Sequence, residues 1–129
     1  EGKPVALCTG DGSFRMNLTE LSTIAHYDIP VIIVIFNNGT LGMVRQWQNL
    51  IYEKRFSETT LDRGPDFVKL AEAYGLKGFR AATEEEFRAA MREALATDGP
   101  SWITCPIDRE ERVLPWIPNG KTVQEIILE

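Results

Sequence analysis

Gly10-Asp11-Gly12-Ser13 and Asn37-Asn38-Gly39-Thr40 are the two stretches whose residue types could do chemistry together. In the first, the glycines leave backbone N–H groups unhindered, and a helix starting there would add the positive end of its dipole, which makes an anion site. Asp11 conflicts with a bare phosphate, because its carboxylate would repel one. A cation lying between the two removes the conflict. The second stretch can offer an amide oxygen and a backbone carbonyl. One carboxylate and two neutral oxygens then hold a small hard cation and leave places for phosphate oxygens and a water, the octahedral shell that Mg²⁺ prefers. Either stretch alone is an ordinary turn; the pair, each closing an apolar strand, points to a site.

The elements that must position these residues follow a strand-helix-strand rhythm, the pattern of a parallel sheet. Pro4 to Cys8 reads as a first buried strand, and Val31 to Phe36, wholly apolar and mostly β-branched, as a central strand covered on both faces. Between them Leu18, Leu21, Ile24 and Ala25 recur at helical spacing, and Pro30 stops that helix. Gly42 to Tyr52 can be helical, and Glu53 to Gly64 is polar without periodicity, a surface loop. Pro65 and Asp66 open a helix with Phe67, Leu70, Ala71 and Tyr74 on one face, closed by Gly75. Leu76 to Ala81 is a short strand. Thr83 and Glu86 form a capping box for a helix whose apolar face is Phe87, Met91, Ala94 and Leu95, and Ser101 to Ile107 is the last strand. The end of the chain, with Pro115, Pro118, Gly120 and an apolar Val123 to Leu128, reads as an arm laid over a larger body. The fold class is α/β, a three-layer parallel sheet with helices on both faces. The ligand edge lies where the first two strands end, as open α/β sheets place it.

Length and composition exclude several functions. The 129 residues suit one domain, 1–129, and 43% hydrophobic with 26% charged residues excludes a disordered or fibrous chain. A net charge of −5 with interspersed signs leaves no nucleic-acid footprint. The longest apolar run, Val31 to Phe36, falls far short of the roughly 20 residues a bilayer requires, so no membrane span is expected and the cytoplasm is the expected location. Cys8 and Cys105, each inside an apolar run, read as two buried thiols of a reducing compartment. His26, the single histidine, sits at a helix end before Asp28 with no Cys or Ser partner that suggests nucleophilic catalysis, and reads as structural or solvated; Glu84-Glu85-Glu86 reads as an acidic first helical turn. Met43 and Trp47, four apart on one helix, favour core packing on spacing alone.

Gly10-Asp11-Gly12 followed by Asn37-Asn38 resembles the motif of enzymes that use thiamine diphosphate. Phe14 to Leu21, Leu41 to Gln48, Tyr52 to Ser57, Pro65 to Gly75 and Val113 to Gly120 resemble the large catalytic subunit of acetolactate (acetohydroxyacid) synthase. The likeness runs over essentially the whole chain and corresponds to the C-terminal, diphosphate-binding domain of that subunit, a thiamine diphosphate-binding fold lacking its first segment. The resemblance implies that Asp11, the Asn38 side chain and the Thr40 carbonyl hold Mg²⁺, and that Gly10, Gly12 and Ser13 approach the diphosphate. It also implies that Gly42 and Met43 lie beside the cofactor's pyrimidine, and that Met43 and Trp47 line the substrate channel.

The same resemblance implies what this segment does not carry: the glycine-rich stretch that props the cofactor, the domain whose glutamate activates it, and the FAD-binding domain. On this reading no catalytic residue lies in the chain, which is a fragment inactive by itself. The remaining domains or a second catalytic subunit, a regulatory subunit, and the substrates pyruvate and 2-oxobutyrate are the partners of the parent enzyme. The organic chemistry is the cofactor's, and the segment anchors and orients it. Two rivals stay open: a fragment of another thiamine diphosphate-dependent 2-oxo-acid decarboxylase or carboligase, and a catalytically silent binding or assembly module.

Overall fold

Val31 to Phe36 lies at the heart of the sheet in the computed structural model, which describes residues 3–128. The elements in chain order are β1 (Val5–Gly10), α1 (Asp11–Arg15), α2 (Leu21–His26), β2 (Val31–Asn37), α3 (Gly42–Leu50), α4 (Phe67–Ala73), β3 (Lys77–Arg80), α5 (Glu84–Leu95) and β4 (Ser101–Pro106). Short 3₁₀ turns cover Leu18–Glu20 and Val123–Glu125. All strand pairs are parallel, in the order β1-β2-β4-β3.

Because side chains alternate across a pleated strand, neighbouring residues of β2 and β4 serve two different cores. On one face Ile33, Ile35 and Trp102 pack with Phe14, Leu21, Phe67, Ala71 and Leu76 from the α1, α2 and α4 side. On the other, Ile32, Val34, Ile103 and Cys105 meet Ala81 and the small residues Ala90 and Ala94 of α5. Trp102 is fully buried, edge-on to Phe14 at 4.8 Å and stacked near Phe67, while its indole N–H donates to Thr104 Oγ1 at 2.8 Å. The three-layer parallel α/β fold is therefore as the sequence implies. So are the loop before Pro65, the capping box of Thr83 and Glu86, and the helix opened by Pro65 and Asp66, where the structure adds that the Asp66 carboxylate accepts from the Val68 and Lys69 N–H groups.

Three expectations are corrected. The first strand is not buried: β1 is the edge of the described sheet, Val5, Leu7 and Cys8 are exposed, and α5 covers only the β4 side of the second face. Cys8 therefore is not a second buried thiol, whereas Cys105 is buried; burial first, and the nearby Cys8 second, hold its pKa above the ordinary value. The helix expected across Leu18 to Ala25 is broken, because the Asn17 carbonyl accepts from Glu20 N–H and tightens the chain into a 3₁₀ turn before α2 begins. Leu95 is exposed, since Phe87, Ala90, Met91 and Ala94 form the inward stripe of α5 and Leu95 lies one step off it.

This asymmetry of the thiols is directly measurable. An aromatic disulfide reagent is expected to label one thiol rapidly in the native chain and the second only on denaturation, and Cys8→Ser is expected to remove the rapid one. Two equally rapid thiols would show that the α5 layer does not close over β4.

Candidate functional site

Parallel pairing aligns Gly10 with Phe36, so the carboxyl ends of β1 and β2 lie side by side. Gly10 keeps extended backbone as the cap of α1, and Asp11 is the first helical residue. The expected glycine turn is thus very short: the strand passes into a helix within one residue. Asp11 is 1% exposed, and its Oδ2 has no hydrogen-bond partner. Burial raises its pKa above 3.8, opposed by the charge of Arg15 and by the N–H groups of Asn38, Asp11 and Gly12. A buried carboxylate oxygen without a partner is costly, and such an atom calls for an explanation.

The end of β2 is shaped by its own amides. Asn37 Oδ1 accepts from Gly39 N–H at 3.2 Å, and Asn38 Oδ1 accepts from Thr40 N–H at 2.9 Å, two successive side-chain-to-backbone turns. Gly39 sits between them at φ 63°, where a glycine is readily accommodated. Thr40 is buried, with its hydroxyl unpartnered. Two glycines bring these pieces together: a Cβ on Gly42 would stand 2.9 Å from Asn38 Nδ2, and one on Gly12 would stand 3.0 Å from the Leu41 side chain and 3.8 Å from the Thr40 carbonyl.

Asp11, Gly12, Asn38, Thr40 and Gly42 therefore converge at one strand edge. The donor set fits a small hard cation: one carboxylate oxygen free of other partners, the Thr40 carbonyl beside the same helical turn, and an amide oxygen that retains a second lone pair. Among the described residues no three His, Cys, Asp or Glu side chains gather as a metal site, so a cation here relies on a mixed set of one carboxylate and neutral oxygens. Ser13 is exposed at the same helix start.

Met43 and Trp47 belong to a second group. They belong to neither core, contrary to the packing that spacing alone favours; they line an open cavity of about 670 Å³ with Val44, Gln48, Tyr52 and Arg55. Trp47 also lies 5.8 Å from Trp116 of the C-terminal arm, which Trp116 and Ile127 close by a two-hydrogen-bond bridge.

Sequence reasoning missed the support of the site. Leu41 N–H donates to Thr59 O at 2.8 Å and Leu61 N–H to Gly39 O at 2.7 Å, around an antiparallel bridge between Thr40 and Thr60. The loop after α3 thus holds the Thr40 segment in place. Thr59-Thr60-Leu61, two β-branched residues and an apolar one, is the available signal, too short to read as a strand.

Residues 1–105 match the family model described as thiamine pyrophosphate enzyme, C-terminal TPP binding domain. The chain is 50% identical over 119 residues to a probable acetolactate synthase large subunit of Methanocaldococcus jannaschii, covering 92% of the chain and 20% of that protein. It is 46% identical over 119 residues to the mitochondrial acetolactate synthase of Schizosaccharomyces pombe, covering 92% and 18%. It spans about a fifth of the length of these curated relatives. Among solved structures it is similar to a thiamine diphosphate-dependent 4-hydroxybenzoylformate decarboxylase of Rhodococcus jostii, with TM-score 0.76 and 38% identity over 83% of this chain and 20% of that one.

The unpartnered Asp11 oxygen has a measurable consequence. In metal-free buffer Asp11→Asn is expected to stabilise the chain by about 1–3 kcal/mol, because the amide carries no buried charge. The same substitution is expected to abolish any rise in melting temperature on adding Mg²⁺ with diphosphate. Destabilisation in metal-free buffer would mean that Asp11 is satisfied by the protein itself.

Proposed function

The chain belongs to the thiamine pyrophosphate enzymes, as their C-terminal TPP binding domain, and from that membership we propose that it anchors thiamine diphosphate through Mg²⁺ in an acetolactate synthase catalytic subunit. The buried Asp11 Oδ2 without a partner, on the helical turn whose next residue, Gly12, faces the Thr40 carbonyl, is the observation that carries the reading. In it the Asp11 carboxylate, the Asn38 amide oxygen and the Thr40 carbonyl hold the cation, while the Gly10, Gly12 and Ser13 backbone approaches the diphosphate. Gly42 and Met43 border the pyrimidine, and Met43 with Trp47 forms a channel wall. The cofactor, when bound, supplies the carbanion chemistry. The chain's own residues bind, orient and exclude water.

The parent activity in this reading is decarboxylation of pyruvate and transfer of the two-carbon unit to a second 2-oxo acid, pyruvate or 2-oxobutyrate, toward branched-chain amino acids. The groups that activate the cofactor, the FAD site and any regulatory subunit lie outside residues 1–129, so this chain alone turns nothing over. Among the described residues no helix is long and apolar enough to cross a membrane; the cytoplasm is the location in our reading. Identities of 46–50% to acetolactate synthases against 38% to a decarboxylase favour this activity over that of another thiamine diphosphate enzyme.

Calorimetry tests the anchoring role: thiamine diphosphate is expected to bind the chain only when Mg²⁺ is present, with no consumption of pyruvate. Metal-independent binding, or none, overturns the anchoring role; steady pyruvate turnover overturns the fragment reading. Substrate choice gives a separate test, in the full-length subunit containing this segment. There Trp47→Leu is expected to lower the preference for 2-oxobutyrate over pyruvate as acceptor about tenfold, within the roughly 1–3 kcal/mol that one methylene contact is worth, and to spare cofactor binding. A lower melting temperature with an unchanged product ratio would return Trp47 to a packing role.

A further inference from the structure

Asp11 and Arg15 stand four apart on α1, acid before base, the arrangement in which a helical pair ordinarily closes a salt bridge. Here it does not close. Among the described residues Asp11 forms no ion pair within 4 Å, its Oδ2 is unpartnered, and Arg15 Nε is likewise buried without a partner. Two complementary atoms on the same helical turn are both left unsatisfied, so something holds the guanidinium elsewhere.

The holder is the segment from Thr59 to Gly64. Arg15 Nη2 donates to the Leu61 carbonyl at 3.3 Å, and the guanidinium lies 5.8 Å from the centre of the Phe67 ring. It runs through a gap left by Gly64: a Cβ there would overlap Nη2 and come within 3.1 Å of Cζ. Gly64 has no left-handed φ that would itself demand glycine, so the missing side chain makes room for the guanidinium. Beside it is a cavity of about 170 Å³ lined also by Asn37, Gly39 and Asp62, which puts a carboxylate on the loop side. The same segment is tied to the site, through Leu61 N–H to Gly39 O and the contact of Leu61 with the space above Gly12.

We propose that residues 59–64 act as a keeper that holds Arg15 off Asp11, leaving the Asp11 carboxylate open to a divalent cation. The inference rests on Asp11 as a cation ligand and adds a competitor built into the same helix. When the keeper lets go, Arg15 reaches back one turn, pairs with Asp11 and takes the place of the metal. Arg15 is a positioning residue acting through its absence from the site.

The test is a rescue experiment on the 129-residue chain, reading Mg²⁺ affinity by calorimetry at fixed thiamine diphosphate, with Mn²⁺ and electron paramagnetic resonance as a second probe. Gly64→Ala pushes the guanidinium out and is expected to weaken Mg²⁺ about tenfold. Arg15→Gln alone is expected to leave affinity within about twofold of the parent, and Gly64→Ala/Arg15→Gln to return to that range. If the double variant stays as weak as Gly64→Ala, the alanine damages the loop directly and the proposal fails. It fails too if Arg15→Gln is itself tenfold weaker, since Arg15 then supports the site, or if Gly64→Ala has no effect. Asp11→Asn separates the two levels: unchanged Mg²⁺ affinity there, or no Mg²⁺ binding by the parent chain, overturns the metal reading beneath the proposal.

Discussion

A carboxylate that is buried at the start of a helix and has one oxygen unmatched is the constraint on which the rest of this site turns. The first turn of α1 offers Asp11 backbone N–H groups and a favourable dipole, which lessens the cost of the charge but does not satisfy Oδ2. What surrounds it leaves that oxygen unmatched while bringing the end of β2 against the same helical turn. Parallel pairing of Gly10 with Phe36 fixes which strand ends meet, the Asn37 and Asn38 turns curl the β2 end, and Gly12 and Gly42 remove the two side-chain atoms that would wedge the pieces apart. Each device is cheap alone; together they make sense around an acid awaiting a cation.

α3 fastens the flanking loops by a different means. Gln46 is buried and both donates to and accepts from the Val113 backbone, at 3.3 and 2.9 Å, much as a neighbouring strand would. Gln48 does the same with Ser57, at 3.0 and 3.3 Å, and also accepts from the Thr59 hydroxyl. Arg45 lies over the Phe56 ring at 3.9 Å and pairs with Glu110. One short helix thereby ties the segment after it and the C-terminal arm to the end of β2. The face carrying Met43 and Trp47 is left free to line a cavity. Side-chain amides suit this purpose because they match backbone groups in pairs without introducing charge.

Signals confined to a few neighbouring residues were legible in the sequence. The β-branched run of β2, the Thr83 and Glu86 box and the Asp66 cap each state their structure locally, and the pairing of Asp11 with Asn38 follows once two strand ends are adjacent. Features set by distant partners were not. Cys8 looks buried because its neighbours are apolar, yet exposure depends on which elements cover the edge. Trp47 looks like core by spacing, but the orientation of α3 is held by Gln46 gripping backbone 67 residues along the chain and Gln48 gripping the loop that follows the helix. The keeper role of Gly64 leaves no mark in sequence, since a glycine in a polar loop has many reasons to be there.

The position of β4 has a consequence for how such a chain is made. It comes last in sequence among the described strands, yet it lies inside the sheet between β2 and β3, and its residues divide between both cores: Trp102 in one, Ile103 and Cys105 in the other. Neither hydrophobic layer can close until residues near 105 have emerged, because β2 lacks its neighbour on one side and β3 has no strand to join. Contacts of such long sequence separation are slow to form and leave apolar strands open meanwhile. A chain ending before Ser101 is thus not a smaller version of the fold but a sheet without a middle.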